Sequence, residues 1–243
     1  MAVGYVVEED DGTLLVTLTG RLTLADVGSL RLKLYKSLAD EPQALVVDLT
    51  ALAVSEPLAL SVFGAVGRQA ERWPGVPVLY AAPSPQARRL LDVAAYRRLP
   101  LFETVAEARH QALRPDRGLT ALSDELPPLS GAARQARNLA TEACLRWDLP
   151  HLVGPACLIV SELVSNVADH ASTMATVRLS LHRRFLTIAV RDGSTEPPAM
   201  KQHDPMFPGK GRGLLLVHAT ADSWGWLPTE GGKVVWASLR RDK

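Results

Sequence analysis

Hydrophobic and polar positions follow two rhythms along this 243-residue chain, and the changes of rhythm mark its elements. A period of two predicts half-buried strands, and spacings of three and four predict amphipathic helices. Residues 3–8 and 14–19 are strand-like runs separated by Asp10-Asp11-Gly12, whose Asp-Gly chemistry predicts a hairpin turn. Leu24, Val27, Leu30, Leu34 and Leu38 lie at helical spacings, and residues 44–49 then form a continuous apolar strand. Residues 58–71 predict a second helix and residues 76–81 a buried strand. A third helix is predicted over 85–95, with Ser84 as N-cap and Pro85 in the first helical position, and a fourth over 103–113. Strands alternating with helices predict an α/β sandwich, the strands buried beneath the helices.

The periodicity breaks at Arg114-Pro115-Asp116-Arg117-Gly118. A charged stretch with Pro and Gly there predicts a linker at 114–118 between a domain at 1–113 and another at 119–243. In the second domain residues 131–147 and 152–171 read as helices, 175–182 and 185–191 as paired strands, 215–221 as a helical pattern and 234–239 as a final strand. Residues 192–213 are too rich in Gly and Pro for either element, and no internal repeat is present.

Composition narrows the picture. With 47% hydrophobic and 22% charged residues, both halves can bury a core. A net charge of +1 provides no field that would favour nucleic acid or an anionic membrane as the main partner. Cys144 and Cys157 fall in apolar helical patterns and are read as reduced core residues, since two such thiols make neither a disulfide framework nor a metal-ligand spacing. No run of about 18 to 20 apolar residues and no signal-like N-terminus is read in the sequence, so a cytoplasmic protein is expected.

Candidate chemistry concentrates in the second half. Ala156, Val160, Leu163, Val167 and Ala171 form one helix face, while Glu162, Asn166 and His170 recur every four residues on an adjoining one. Mg²⁺ prefers oxygen ligands and keeps phosphate oxygens in its shell, so Asn166 beside a nucleotide is a candidate ligand. Glu162, one turn away, is a candidate acceptor for a proton from an attacking hydroxyl or water. The same spacing also arises on a solvated helix face. Asp192 ends a strand and precedes Gly193, either as an acceptor for an adenine amino group or as a turn-forming Asp-Gly. Gly209-Lys210-Gly211-Arg212-Gly213-Leu214 stands directly before a helical pattern, where backbone N–H groups can approach phosphates and Lys210 and Arg212 add charge.

In this order the motifs resemble the GHKL ATPase superfamily, with its Bergerat α/β sandwich, and specifically its anti-sigma-factor serine kinase branch. The resemblance covers residues 119–241 and includes Ala221-Asp-Ser-Trp-Gly-Trp226 and Gly231-Gly-Lys-Val-Val-Trp236. It implies ATP and Mg²⁺ as cofactors, Glu162 as catalytic base, Asn166 as metal ligand, Asp192 with Gly193 at the adenine, and Lys210, Gly211, Arg212, Gly213 and Leu214 in the lid and phosphate region. His170 matches a family position, and a histidine packed at a helix end explains it equally well. Two departures stand out. Asp192-Gly-Ser-Thr-Glu-Pro-Pro198 replaces the common Asp-x-Gly-x-Gly, and Val234 stands where relatives often have Thr, both of which imply weakened nucleotide affinity.

Residues 3–113 resemble a STAS domain, the fold of anti-sigma-factor antagonists, on their strand-helix order and on Val46-Val-Asp-Leu-Thr50 followed by a helix start at Leu58. Such antagonists carry Asp-Ser-Ser/Thr-Gly-Leu there, with the phosphorylated hydroxyl just before the Gly. Here Glu56-Pro-Leu-Ala-Leu60 places Leu58 at the acceptor position, and Ser55 and Ser61 stand in a different register. The two resemblances together imply an ATP-dependent protein serine kinase of a bacterial partner-switching system that regulates transcription. Its partners would be a sigma factor or a STAS-domain antagonist, its tethered STAS domain would compete with that antagonist intramolecularly, and dimerisation is a family expectation. The competing reading is a non-catalytic ATP-binding anti-sigma factor or scaffold.

Overall fold

The computed structural model describes residues 3–93, 96–113, 120–198 and 212–242. The chain divides into two units, Met1–Arg117 and Gly118–Lys243, each with its own five-stranded sheet. The expected linker at 114–118 lies outside the described residues.

In the first unit Asp11 and Gly12 both take positive φ, at 48° and 73°, and join β1 (Gly4–Asp10) to β2 (Thr13–Leu22). Positive φ at both central positions is what a two-residue turn between twisted antiparallel strands requires. β3 (Ala44–Val54), β4 (Val78–Ala81) and β5 (Leu101–Phe102) add in parallel, in the order β1-β2-β3-β4-β5. Parallel neighbours need crossovers, which α1 (Val27–Ala39), α2 (Ser61–Arg72) and α3 (Pro85–Leu91) provide, with α4 (Val105–Ala112) following β5. Leu45, Val46 and Val47 are buried on both faces of the sheet, as their unbroken apolar run requires. Ser84 Oγ accepts from Ala87 N–H at 3.2 Å and Thr104 Oγ1 from Glu107 N–H at 3.1 Å, capping α3 and α4.

Two boundaries differ from the sequence reading. β3 continues past Leu49 to Val54, because Leu52 and Val54 alternate inward while pairing with β2. The helix expected from Leu58 opens as a 3-10 turn, Pro57–Leu60, before α2.

The second unit contains β6 (Thr120–Leu126), α5 (Ala132–Arg146), α6 (Val153–Asn166), β7 (Ala175–Leu181), β8 (Phe185–Asp192), α7 (Gly213–Thr220), β9 (Ser223–Thr229) and β10 (Gly232–Arg240). Its sheet is antiparallel throughout, in the order β6-β7-β8-β10-β9. Val177 and Leu179, Ile188 and Val190, and Val235 and Ala237 share one core with Ala136, Ala140, Ile159, Val160 and Leu163, so the three helices cover one face. By the two-residue period Asp192 and Lys233 continue that same inward row at the sheet's end.

The sequence pattern does not predict β6 and β9. Both are edges: β6 is largely exposed up to Leu126, and β9 contains Pro228, which an edge strand tolerates. Cys144 is fully buried, whereas Cys157 is only partly so, with Sγ 3.4 Å from Thr141 Oγ1. Within the 22-residue helical run Pro150–Ala171 an 18-residue window has a mean hydropathy of 1.4, enough by length and composition alone to cross a membrane, which the sequence reading does not expect. In this fold Ala156, Ile159, Val160, Leu163, Val164 and Val167 from that run pack into the domain core.

Candidate functional site

The apolar stripe of α6 docks against α5 and the sheet, which fixes Glu162 and Asn166, one turn apart, half-buried at its flank. α7 starts at Gly213, and Leu214 and Val217 anchor it in the same core. This anchoring presses the start of α7 onto α6. A Cβ at Gly213 would stand 2.8 Å from Glu162 Oε2 and 3.4 Å from Asn166 Oδ1, so a residue without a side chain is needed for so close an approach. The first turn of α7 carries N–H groups without intrahelical acceptors, next to a carboxylate and an amide that make no hydrogen bond to another described residue. Arg212 precedes this turn and is exposed; Lys210 and Gly211 lie outside the described residues.

Beyond Asn166 the helix widens into a π turn, Val167–Ala171, closed by Ser172 N–H donating to Val167 O at 2.8 Å and by Ser172 in the left-handed conformation at φ 52°. Such turns recur at functional sites. Here it leaves His170 exposed, so among the described residues Glu162 and Asn166 lie beside Gly213 and His170 is not brought to them.

Asp192 closes β8 and is 6% exposed. Its Oδ1 accepts from Ser194 N–H at 2.7 Å, the turn role, and from Lys233 Nζ at 2.9 Å. Lys233 Nζ also donates to Ser194 O at 3.3 Å. Gly232, beside Lys233, faces the Asp192 carbonyl so closely that a Cβ would overlap it, and Gly193 N–H donates to Thr173 Oγ1 at 3.0 Å. The sequence reading pointed to Val234 as the altered position of this strand. The structure corrects that: Val234 lies on the sheet's opposite face, paired with Arg191, and the residue that meets Asp192 is Lys233. The available signal was a charged residue in phase with Val235, Ala237 and Leu239.

For Mg²⁺ the residues fit in one respect. Among the described residues no three His, Cys, Asp or Glu side chains converge, so a hard cation here would depend on Asn166 together with the oxygens of a bound phosphate chain. Gly213 brings the first turn of α7 close beside Asn166. The expected adenine end is different, because Asp192 is already paired with Lys233.

Two family models match. The histidine kinase-like ATPase domain matches residues 126–239, and the STAS domain matches residues 5–108. Among solved structures, an anti-sigma factor antagonist from Mycobacterium paratuberculosis is 23% identical, with a TM-score of 0.41 over 46% of this chain and 94% of that one. The RsbU and RsbW domains of a Mycobacterium tuberculosis protein are 18% identical, with a TM-score of 0.39 over 50% of this chain and 32% of that one. The Bacillus cell fate determinant SpoIIAA in its phosphorylated form is 16% identical, with a TM-score of 0.37 over 44% and 98%. No curated protein matches the sequence significantly.

Proposed function

We propose that this chain, which joins a STAS domain to a histidine kinase-like ATPase domain, binds ATP with Mg²⁺ in its C-terminal unit and acts as a cytoplasmic protein serine kinase of a partner-switching system that regulates transcription. The observation that carries this reading is the seating of Gly213 against Glu162 and Asn166, which joins a base, an oxygen ligand and a helix N-terminus in one place. In this assignment Asn166 Oδ1 holds the metal, and the first-turn N–H groups of α7, with Arg212 nearby, face the phosphates. Glu162 accepts the proton of the incoming serine hydroxyl as its oxygen takes the terminal phosphoryl group and ADP departs. Mg²⁺, when bound, offsets the negative charge on the transferred group.

The test is transfer of labelled phosphate from ATP to a serine-bearing STAS antagonist. Glu162→Gln should abolish transfer while leaving ATP affinity within about threefold, because a base acts on the chemical step. Equal transfer by the variant would remove Glu162 from its role.

The first unit supports a docking role. Leu58, at the position where antagonists carry the phosphorylated hydroxyl, is 72% exposed at the tip of the turn between β3 and α2, and it has no oxygen to phosphorylate. Tethered to the ATPase domain, such a module competes with a separate antagonist at an effective concentration of roughly millimolar. Deleting residues 1–113 should then raise transfer to that antagonist.

The second reading, a non-catalytic ATP-binding scaffold, is favoured by the Lys233–Asp192 pair, since a carboxylate already carrying a cation is a weaker acceptor for a base. It predicts nucleotide binding without transfer.

A further inference from the structure

The first strand, β1, is an open edge of the first unit's sheet, with β2 on one side only. The turn at Asp11-Gly12 closes with its flanking pair, Asp10 and Thr13, hydrogen-bonded. Bonded pairs alternate along an antiparallel ladder, so the main-chain groups of Gly4, Val6, Glu8 and Asp10 point at β2 and those of Tyr5, Val7 and Glu9 point outward. No described residue receives these outward groups. Val6 and Val7, on opposite faces, are 54% and 43% exposed, and the strand contains no proline. Such an edge is a template for another strand. Its charges are sorted along its length. Glu8, Glu9 and Asp10 stand at one end. At the other, Lys33 Nζ of α1 lies 5.3 Å from the centre of the Tyr5 ring, and Tyr5 Oη donates to Lys33 O at 3.2 Å. Asp10 is paired with Arg109, whereas Lys33 and Glu9 make no ion pair among the described residues.

We propose that β1 pairs with β1 of a second copy of this chain, antiparallel about a two-fold axis at Val7, joining the two sheets edge to edge. In that register Val7 meets Val7 of the second copy, Tyr5 meets Glu9, Val6 meets Glu8 and Gly4 meets Asp10. The outward N–H and C=O groups of Tyr5, Val7 and Glu9 then bond to their counterparts. Tyr5, Val7 and Glu9 share the face that α1 covers, so Glu9 of each copy comes to the Lys33 side of the other. The two-fold makes every such contact twice. No acid stands opposite an acid. Moving the axis to Glu8 sets Glu8 against Glu8, and like charges directly opposite are destabilising, so the charges select the Val7 register. This surface lies in the first unit and is independent of the nucleotide site.

The test is sedimentation equilibrium of the full chain without nucleotide. A reversible dimer with a Kd between about 1 and 100 µM is expected, since one strand pair is a small interface. Val7→Pro removes an outward N–H and leaves the bonds to β2 in place, a change that an edge strand tolerates, and should weaken the dimer about tenfold or more. Glu9→Lys and Lys33→Glu, both at exposed positions, should each weaken it about fivefold or more. The double variant restores opposite charges and should return to within about threefold of the wild type, a rescue that loss of folding does not produce. A chain that stays monomeric up to roughly 500 µM overturns the proposal. So does a dimer that Val7→Pro and both charge reversals leave unchanged, which would use another surface, and so does a double variant no tighter than the single ones. The charge reversals decide the matter even if Val7→Pro fails to fold, and none of these results bears on the nucleotide reading.

Discussion

At Gly213 the absence of a side chain leaves the tip of Glu162 free to lie beside the start of α7. A methyl group there would meet the tip of Glu162 at 2.8 Å, and because that tip is mobile, the carboxylate would swing aside rather than the fold give way. Gly213→Ala should therefore lower ATP affinity and phosphate transfer about tenfold or more while changing the melting temperature little, since Ala is the better helix former. Calorimetry beside thermal unfolding separates the two effects. Glu162, Asn166 and Gly213 were legible in the sequence because each carries a recognisable group at a fixed offset from a strong helical pattern. Lys233 was not, because its meaning depends on which face of β10 it occupies, and parity becomes visible only once the strand is paired with β8. A different residue-scale effect concerns Cys144, whose thiol burial pushes up to about 11, helped by Cys157. An acid held protonated in the fold contributes stability that is complete below its unfolded value, near 8.5, and is lost as pH rises through about 11. Urea midpoints should fall across that window in the wild type and fall less in Cys144→Ala.

The elements show where sequence patterns run out. Helices α5 and α6 and the inner strands β7, β8 and β10 bury whole rows of apolar residues, so their periods could be counted. The edge strands β6 and β9 bury little or mix Gly and Pro with Trp, and their identity comes from pairing with a neighbour rather than from their own composition. The π turn after Asn166 was equally hidden, because no residue type encodes a single widened turn. Within β10, Gly232 is an element-scale requirement: a side chain there would overlap the Asp192 carbonyl across the strand pair. Gly232→Ala should destabilise the second unit by roughly 1–3 kcal/mol, the usual cost of overpacking a close contact. Denaturant unfolding should show the loss as a lower midpoint with an unchanged slope, and an unchanged midpoint would mean that the strands separate freely.

The chain divides into two units, each with its own sheet, and the proposed function gives nucleotide chemistry to the second and docking to the first. Hydrogen exchange with and without ATP and Mg²⁺ should show new protection at α6, at the start of α7 and at the ends of β8 and β10. Protection centred in residues 3–113 would assign the nucleotide to the wrong unit. The domain order was legible because each half carries its own alternation of elements, whereas the surroundings of Asp192 depended on one lysine meeting one aspartate across two strands. The most direct measurement is calorimetric titration of ATP and Mg²⁺ into the wild type and Asn166→Ala. Saturable, metal-dependent binding that weakens at least about a hundredfold in the variant is the predicted result, in line with loss of a ligand at a metal site. No binding by the folded wild type, or equal binding by the variant, would contradict the nucleotide site.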